Sequence, residues 1–304
     1  MENKQNQFAS LAAFSAGLAD LADEMAQLTV LVNARKRLPV SGFLLSEAQI
    51  ITVDHGIEKE DGIEILTGGQ IPVMGKLVGR DPGTDLALIG LDREIEAFHE
   101  FRRSKPRVAT PVIMVGRPEP GGHQVSSGIV TSIGSGLRTV KGSVLDSYIT
   151  TDAIPYPGFS GGPLAALDGT VIGINTSGLV GGVSLAVPIG LAELVAAQLA
   201  SYGHVRRGFL GIRSQKIEIA KALRGEGAGV EKTGLLIVGL EEGGPAASSG
   251  LLIGDVLTGA GDRKVTDHDD LMMLLSHEAA DQEIPFKIIR GGAMMTIAVK
   301  VGNR

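Results

Sequence analysis

Cysteine and tryptophan are absent from this 304-residue chain, and aromatic side chains make up only 4% of it. Without cysteine there is no disulfide framework and no thiolate metal site, although the absence assigns no compartment. A basic excess is also missing: 28 lysines and arginines stand against 34 acidic residues, for a net charge of -6. The runs Arg35-Lys36-Arg37 and Arg102-Arg103 are short and carry no interleaved aromatics, which argues against a nucleic-acid partner. No apolar run approaches the roughly 20 residues that cross a bilayer, so no transmembrane segment is expected. The stretch Phe8 to Ala19 is weakly apolar, but Asp20, Asp23 and Glu24 follow at once and the leading segment is not clearly positive, which argues against a signal peptide. No metal cluster or phosphate loop is visible, and no cofactor is expected.

What the chain does hold is glycine, 43 residues without a collagen-like period, a share that suits turn-rich β structure. Phe8, Leu11, Phe14, Leu18, Leu21, Ala22, Met25 and Leu28 recur at spacings of three and four, the stripe of an amphipathic docking or assembly helix. That helix and a first strand occupy residues 1–35. From 36 to 200, short apolar runs such as Phe43 to Leu45, Ile63 to Leu66, Val112 to Val115, Ser127 to Ile133 and Val171 to Ile174 alternate with glycine, proline and aspartate clusters, the rhythm of an all-β barrel or sandwich. A charged stretch from Asp92 to Arg107 divides this region into two similar halves, hence two small barrels. A helix from Leu191 to Tyr202 ends near Gly203, and Val205-Arg206-Arg207 follows as a linker. Residues 206–304 change texture to an α+β module, whose helix is announced by the capping-box spacing Thr266-x-x-Asp269 ahead of Leu271, Leu274 and Leu275.

Three residues carry chemistry. Ser160 stands in Gly158-Phe-Ser-Gly-Gly-Pro-Leu164, where flanking glycines let the backbone turn tightly and bring N–H groups toward one point. His55 ends the apolar run Ile50-Ile-Thr-Val-Asp, and Asp85 opens the alternating run Leu86-Ala-Leu-Ile89. Alone, each has an ordinary structural reading: a glycine-serine turn, a core histidine, a strand-leading carboxylate. Together they supply a nucleophile, a base to take its proton and a carboxylate to hold that base, in the order His, Asp, Ser of chymotrypsin. Gly158-x-Ser160-x-Gly162 also fits the nucleophile elbow of an α/β-hydrolase, but that fold needs its acid and histidine after the serine and a βαβ alternation that is missing here.

The segments Ser41-Gly-Phe, Thr52-Val-Asp-His55, Gly83-Thr-Asp85-Leu-Ala, Ser127-Gly-Ile-Val-Thr131, Gly158-Phe-Ser-Gly-Gly-Pro-Leu164, Val171-Ile-Gly-Ile-Asn-Thr176 and Leu185-Ala-Val-Pro188 resemble, in order, the landmarks of the HtrA (Deg) serine proteases. Arg206-Arg-Gly-Phe-Leu-Gly-Ile212 and Gly244 to Val256 resemble that family's PDZ domain. The resemblance implies a mainly β fold of two six-stranded antiparallel, trypsin-like barrels followed by an α+β PDZ-like domain. It implies Ser160 as nucleophile, His55 as general base and then acid, Asp85 as its orienting partner, and the N–H groups of Gly158 and Ser160 as the oxyanion hole. Ile154 and Pro155 map onto the base of the specificity pocket and Asn175, Thr176 and Ser177 onto substrate-binding positions, while Gly208, Phe209, Leu210, Gly211 and Ile212 form the loop and strand that take a peptide carboxylate. Unfolded or misfolded polypeptides and peptide C-termini are the implied partners, a trimeric homo-oligomer the implied assembly, and the bacterial cell envelope or periplasm the implied location. A chaperone role is equally compatible. The family has asparagine where Phe159 and Tyr156 stand, and Phe159 is the one feature that favours a catalytically silent scaffold whose PDZ domain binds protein C-termini. A phenyl ring neither donates nor accepts a hydrogen bond, so packing must fix the loop that holds Ser160.

Overall fold

The computed structural model describes residues 2–68, 72–96, 98–140, 143–180, 183–221, 231–275 and 279–303, with side chains from residue 8 onward. Contacts divide the chain into two units, Met1–Val205 and Arg206–Arg304. The first begins with helix α1 (Glu2–Leu28), whose apolar stripe is used unevenly. Leu21, Met25, Ala26 and Leu28 are buried, whereas Phe8, Leu11 and Phe14 are each at least 60% exposed. Among the described residues no helix is long and apolar enough to cross a membrane.

The chain passes directly from α1 into β1 (Thr29–Asn33), followed by β2 (Val40–Ser46), β3 (Gln49–Val53), β4 (Ile63–Leu66), β5 (Val73–Asp81) and β6 (Leu86–Leu91). These antiparallel strands close into a barrel in the order β1-β2-β3-β6-β5-β4, so the strand next to the helix is a stave of the barrel. Leu86 to Ile89 have no exposed surface, and Phe43 meets Phe101 edge-to-face at 4.8 Å; each such buried leucine, isoleucine or phenylalanine contributes about 1.5–3 kcal/mol. The charged connection contains β7 (Arg102–Arg103).

The second barrel is built from β8 (Pro111–Glu119), β9 (Gly122–Gly134), β12 (Tyr148–Thr151), β13 (Pro163–Ala166), β14 (Thr170–Thr176) and β15 (Leu185–Pro188), with a small pair, β10 (Leu137–Arg138) and β11 (Val144–Leu145), between β9 and β12. The order β13-β8-β9-β12-β15-β14 is closed by pairing of β13 with β14, and β7 adds to the outside of β14 in parallel. Helix α2 (Ile189–Tyr202) follows; Gly203 ends it at φ +76°, its N–H donating to the Leu199 carbonyl at 2.9 Å.

The second unit comprises β16 (Gly208–Phe209), β17 (Ile212–Glu218), β18 (Thr233–Leu240), α3 (Pro245–Ser248), β19 (Val256–Ala260), β20 (Arg263–Lys264), α4 (His268–Leu274), β21 (Glu283–Arg290), β22 (Ala293–Lys300) and β23 (Gly302–Asn303). The sheet runs β17-β18-β19-β21-β22, leaving β17 at an edge, and Leu235, Ile237, Leu257, Phe286 and Ile288 form its core. The cap of α4 lies elsewhere than the spacing predicts. Asp267, in extended conformation, accepts from the N–H groups of Asp269 and Asp270, while Thr266 donates its hydroxyl to Asp270 at 2.6 Å. Arg290 grips the buried Asp255 with two hydrogen bonds of 2.7 Å.

Candidate active site

His55 and Asp85 come from neighbouring strand ends of the first barrel. His55 sits in a one-turn 3-10 helix, Asp54–Gly56, that continues β3, and Asp85 immediately precedes β6, the strand paired with β3. The approach to Asp85 is a turn closed by Asp81, which accepts from the N–H groups of Gly83 and Thr84 and from the Thr84 hydroxyl. That turn delivers Asp85 in the left-handed region, φ +57°, a conformation aspartate tolerates better than most residues and one that recurs at functional sites. The Asp85 carboxylate is fully buried. It accepts from His55 Nδ1 at 2.7 Å, from the His55 N–H at 3.0 Å and from the Thr176 hydroxyl at 2.5 Å. An Nδ1–H donated to a carboxylate leaves Nε2 with the lone pair. The histidine turn is strapped from behind by Arg80, which ion-pairs with the buried Asp54 and bonds the Asp54 and Ile57 carbonyls.

Ser160 lies in the loop before β13. Its hydroxyl is 3.0 Å from that of Ser177, and among the described residues no hydrogen bond joins it to His55. Ser177 nevertheless adjoins the His–Asp pair, because a Cβ on the next residue, Gly178, would fall 2.5 Å from both His55 Nδ1 and Asp85 Oδ2. Gly178 is therefore confined to glycine by the pair it covers. Gly161, at φ +90°, is confined likewise: a Cβ there would sit 2.0 Å from the Ser41 carbonyl oxygen. The Gly158 and Ser160 N–H groups donate no hydrogen bond among the described residues, whereas those of Phe159, Gly161 and Gly162 are committed to the Tyr156, Asn175 and Phe159 carbonyls.

The ring of Phe159 is entirely buried in the second barrel, in a cluster with Met114, Ile149, Ala153 and Leu164. It fills the space that a side chain at Gly116 would need and meets Tyr156 edge-to-face at 5.5 Å. The ring thus packs the loop against the second barrel, beside hydrogen bonds from Ser41 to the Gly158 and Ser160 carbonyls. The other site positions distribute differently. Ile154 is 56% exposed and Pro155 is exposed, so neither side chain floors an enclosed pocket; Ala153 is the buried member of that stretch. Asn175 and Thr176 are buried, with the Asn175 amide donating to the Pro163 carbonyl and the Thr176 hydroxyl to Asp85, while Ser177 is exposed. Ser41, Arg80 and Gly178 were not picked out by sequence for these roles, although Ser41-Gly-Phe and Gly178 next to Ser177 stand beside positions that were.

In the second unit, Gly208 to Ile212 lie along a cavity of about 570 Å³ bounded by His268, Leu271 and Leu275 of the α4 region. The Gly208 N–H is spent on the Leu275 carbonyl at 2.9 Å, and the Leu210 side chain is buried in the core. The N–H groups of Leu210 and Gly211 donate no hydrogen bond among the described residues, and Gly211 adopts φ +73°. Edge strand β17 borders the same cavity through Ile212, Arg213 and Ser214.

Comparison with known families matches residues 40–174 to the trypsin-like peptidase domain and residues 208–301 to the PDZ domain. A protein described as a probable periplasmic serine endoprotease, DegP-like, from Pseudomonas putida is 35% identical over 270 residues, covering 86% of this chain and 55% of the relative. One of the same description from Rickettsia prowazekii is 32% identical over 302 residues, covering 93% of this chain and 58% of the relative. The chain thus spans a little over half the length of these relatives. The solved HtrA-type protease AlgW with a tripeptide superposes with a TM-score of 0.75 at 27% identity, covering 94% of this chain and 97% of that one. Two closed barrels followed by a PDZ domain, with these relatives along most of its length, give the chain the domain make-up of the HtrA/DegP proteases, which are its homologues and structural neighbours.

Proposed function

We propose that the chain is a serine endopeptidase that hydrolyses peptide bonds of unfolded or misfolded polypeptides. The observation that carries this reading is the buried Asp85 carboxylate bonded at 2.7 Å to His55 Nδ1, beside a loop in which the Gly158 and Ser160 N–H groups are uncommitted. Rotation of the Ser160 hydroxyl from Ser177 to His55 Nε2 prepares attack, since catalytic hydrogen bonds often tighten only with substrate bound. Ser160 Oγ then attacks the scissile carbonyl while His55 takes its proton, Asp85 stabilises the imidazolium, and the Gly158 and Ser160 N–H groups receive the oxyanion. His55 returns the proton to the leaving amine. Water, deprotonated by the same imidazole, attacks the acyl-enzyme ester, and as the acyl–Oγ bond breaks His55 returns that proton to Ser160 Oγ. The burial of Phe159 supports an ordered loop around Ser160.

The PDZ domain takes a peptide C-terminus, its carboxylate meeting the Leu210 and Gly211 N–H groups and its backbone extending the sheet at β17. By their likeness to this chain, the relatives described as periplasmic support a location in the cell envelope, and family resemblance supports a trimer. Casein digestion tests the enzymatic reading: the wild type cleaves, Ser160→Ala does not, and the two share one unfolding midpoint. Equal cleavage by both proteins would remove Ser160 from the mechanism.

A further inference from the structure

The loop carrying Gly158 and Ser160 is fastened by one residue of the first barrel, through its backbone N–H and its hydroxyl. Ser41, buried on β2, gives its N–H to the Gly158 carbonyl at 2.9 Å and to the Ser160 carbonyl at 3.0 Å, and its hydroxyl to the Gly158 carbonyl at 2.7 Å. Thr52 fixes Ser41 in turn by donating to its carbonyl at 2.7 Å. Both residues proposed to bind the oxyanion thus have their carbonyl groups tied to Ser41. Gly158 rests at φ +86°, and glycine has low-energy alternatives on both sides of φ = 0, so something outside the residue must select this one.

The Ser41 hydroxyl also accepts, at 2.8 Å, from the N–H of Arg117. The Arg117 guanidinium is buried and pairs with no acidic side chain among the described residues. It reaches the Ala26 carbonyl in the last turn of α1 and the Thr29 carbonyl at the start of β1, both at 2.9 Å. A cation at a helix C-terminus is favoured by the helix dipole. The next residue, Pro118, packs on Gly158, where an added Cβ would meet it at 2.6 Å. One dipeptide thus touches the end of α1, the Ser41 hydroxyl and the Gly158 backbone.

We infer that Ser41 and Arg117 are positioning residues that couple the seating of α1 to the geometry of the oxyanion loop. This deepens the proposed peptidase reading and rests on it. Among the described residues neither is bonded to His55 or Asp85; their effect passes through the Gly158 and Ser160 carbonyls.

The test uses the full-length chain as Ser41→Ala, Arg117→Met and the double variant, with kcat, KM, pH profile and amide hydrogen exchange measured on each. Loss of an oxyanion donor itself lowers kcat about 10²–10³-fold, and loss of the Ser41 hydroxyl, which leaves the Ser41 N–H bonds to both carbonyls in place, is expected to lower it about tenfold. For Ser41→Ala the expected pattern is a fall in kcat with KM within about twofold, an unchanged pH profile, and faster exchange confined to residues 158–162. Arg117→Met should act in the same direction with faster exchange at the end of α1 as well, and the double variant should lose less than the product of the two singles, because coupled sites are not additive. Wild-type kcat with unaltered exchange at residues 158–162 in Ser41→Ala overturns the inference, as does faster exchange spread evenly over both barrels, which marks a purely structural role. Unaltered loop exchange in Arg117→Met overturns the link to α1. If the wild type and Ser160→Ala cleave alike, the peptidase reading fails instead, and the exchange measurements still decide whether the clamp exists.

Discussion

The two halves of the proposed catalytic centre are held by different forces. Around His55 and Asp85, side-chain polar groups do the holding: Thr176 and His55 on Asp85, Arg80 on Asp54, Asp81 on its own turn. Around Ser160 the restraints are backbone carbonyls tied to Ser41 and an aromatic ring sunk in the second barrel. The first arrangement suits a group whose task is to stabilise charge, since a buried carboxylate is tolerable only with its hydrogen bonds satisfied. The second suits a loop in which the Gly158 and Ser160 N–H groups must stay unpaired and yet stationary: Ser41 holds the carbonyls of those two residues, the N–H groups of Phe159, Gly161 and Gly162 are bonded to neighbouring carbonyls, and packing supplies the rest. The serine hydroxyl itself is bonded to Ser177 rather than to His55, so the part that must move is the part not tied down.

Substitutions that break one half at a time sharpen this contrast. The largest effect is expected for Asp85→Asn, which keeps the shape but no longer holds the Nδ1–H tautomer of His55. Cleavage should fall on the order of 10⁴-fold, as in other triads, with thermal stability nearly unchanged. Phe159→Ala should do the reverse in kind. Removing a fully buried ring costs about 3–5 kcal/mol, read as a lower unfolding midpoint of the barrel unit, with activity lost because the loop is no longer anchored. If Phe159→Ala left stability intact and Asp85→Asn lowered it, the division between polar and packed halves would be wrong.

The smallest of these effects lies in the PDZ unit, where an acid is again held by a polar partner. Burial alone would push the Asp255 carboxyl up, but hydrogen bonds from Arg290 and from the Leu252 N–H, with the guanidinium charge, outweigh it and hold the carboxyl below its ordinary value. A depressed folded value means that its stabilisation is complete above the ordinary aspartate pKa of about 3.9 and is lost as the pH falls through the folded value beneath it. Asp255→Asn should therefore cost about 2 kcal/mol at neutral pH and flatten the acid limb of the unit's stability profile, read by exchange of β18 and β19 amides. An unchanged acid limb would show that other carboxylates set it.

The barrels, the PDZ module and the pairing of His55 with Asp85 were legible because local pattern and chemical necessity both mark them, and the same reasoning proposes Ser160 as their nucleophile. Alternating runs specify strands, and an activated serine needs a base and an acid in a recognisable order. What stayed hidden depends on which distant strands meet. Ser41 reaches a loop 117 residues away, and nothing in Ser41-Gly-Phe announces its partner. Thr176 was expected to face substrate, but side chains on a strand alternate between faces, and its hydroxyl faces Asp85. The cap of α4 was misplaced because Thr266, Asp267, Asp269 and Asp270 are all competent and only the extended backbone at Asp267 decides among them. Phe159 could be assigned to packing from its chemistry alone, but not to the pocket it fills, which Gly116 opens from another strand.

Reaction with a fluorophosphonate tests the central claim most directly, because the reagent requires a serine made nucleophilic by its base and an oxyanion site to receive the phosphoryl oxygen. With the full-length chain, mass spectrometry should find one adduct per chain, on the peptide containing Ser160. The adduct should be absent in Ser160→Ala and formed far more slowly in Asp85→Asn. An unlabelled wild type, or an adduct that persists in Ser160→Ala, would contradict the account.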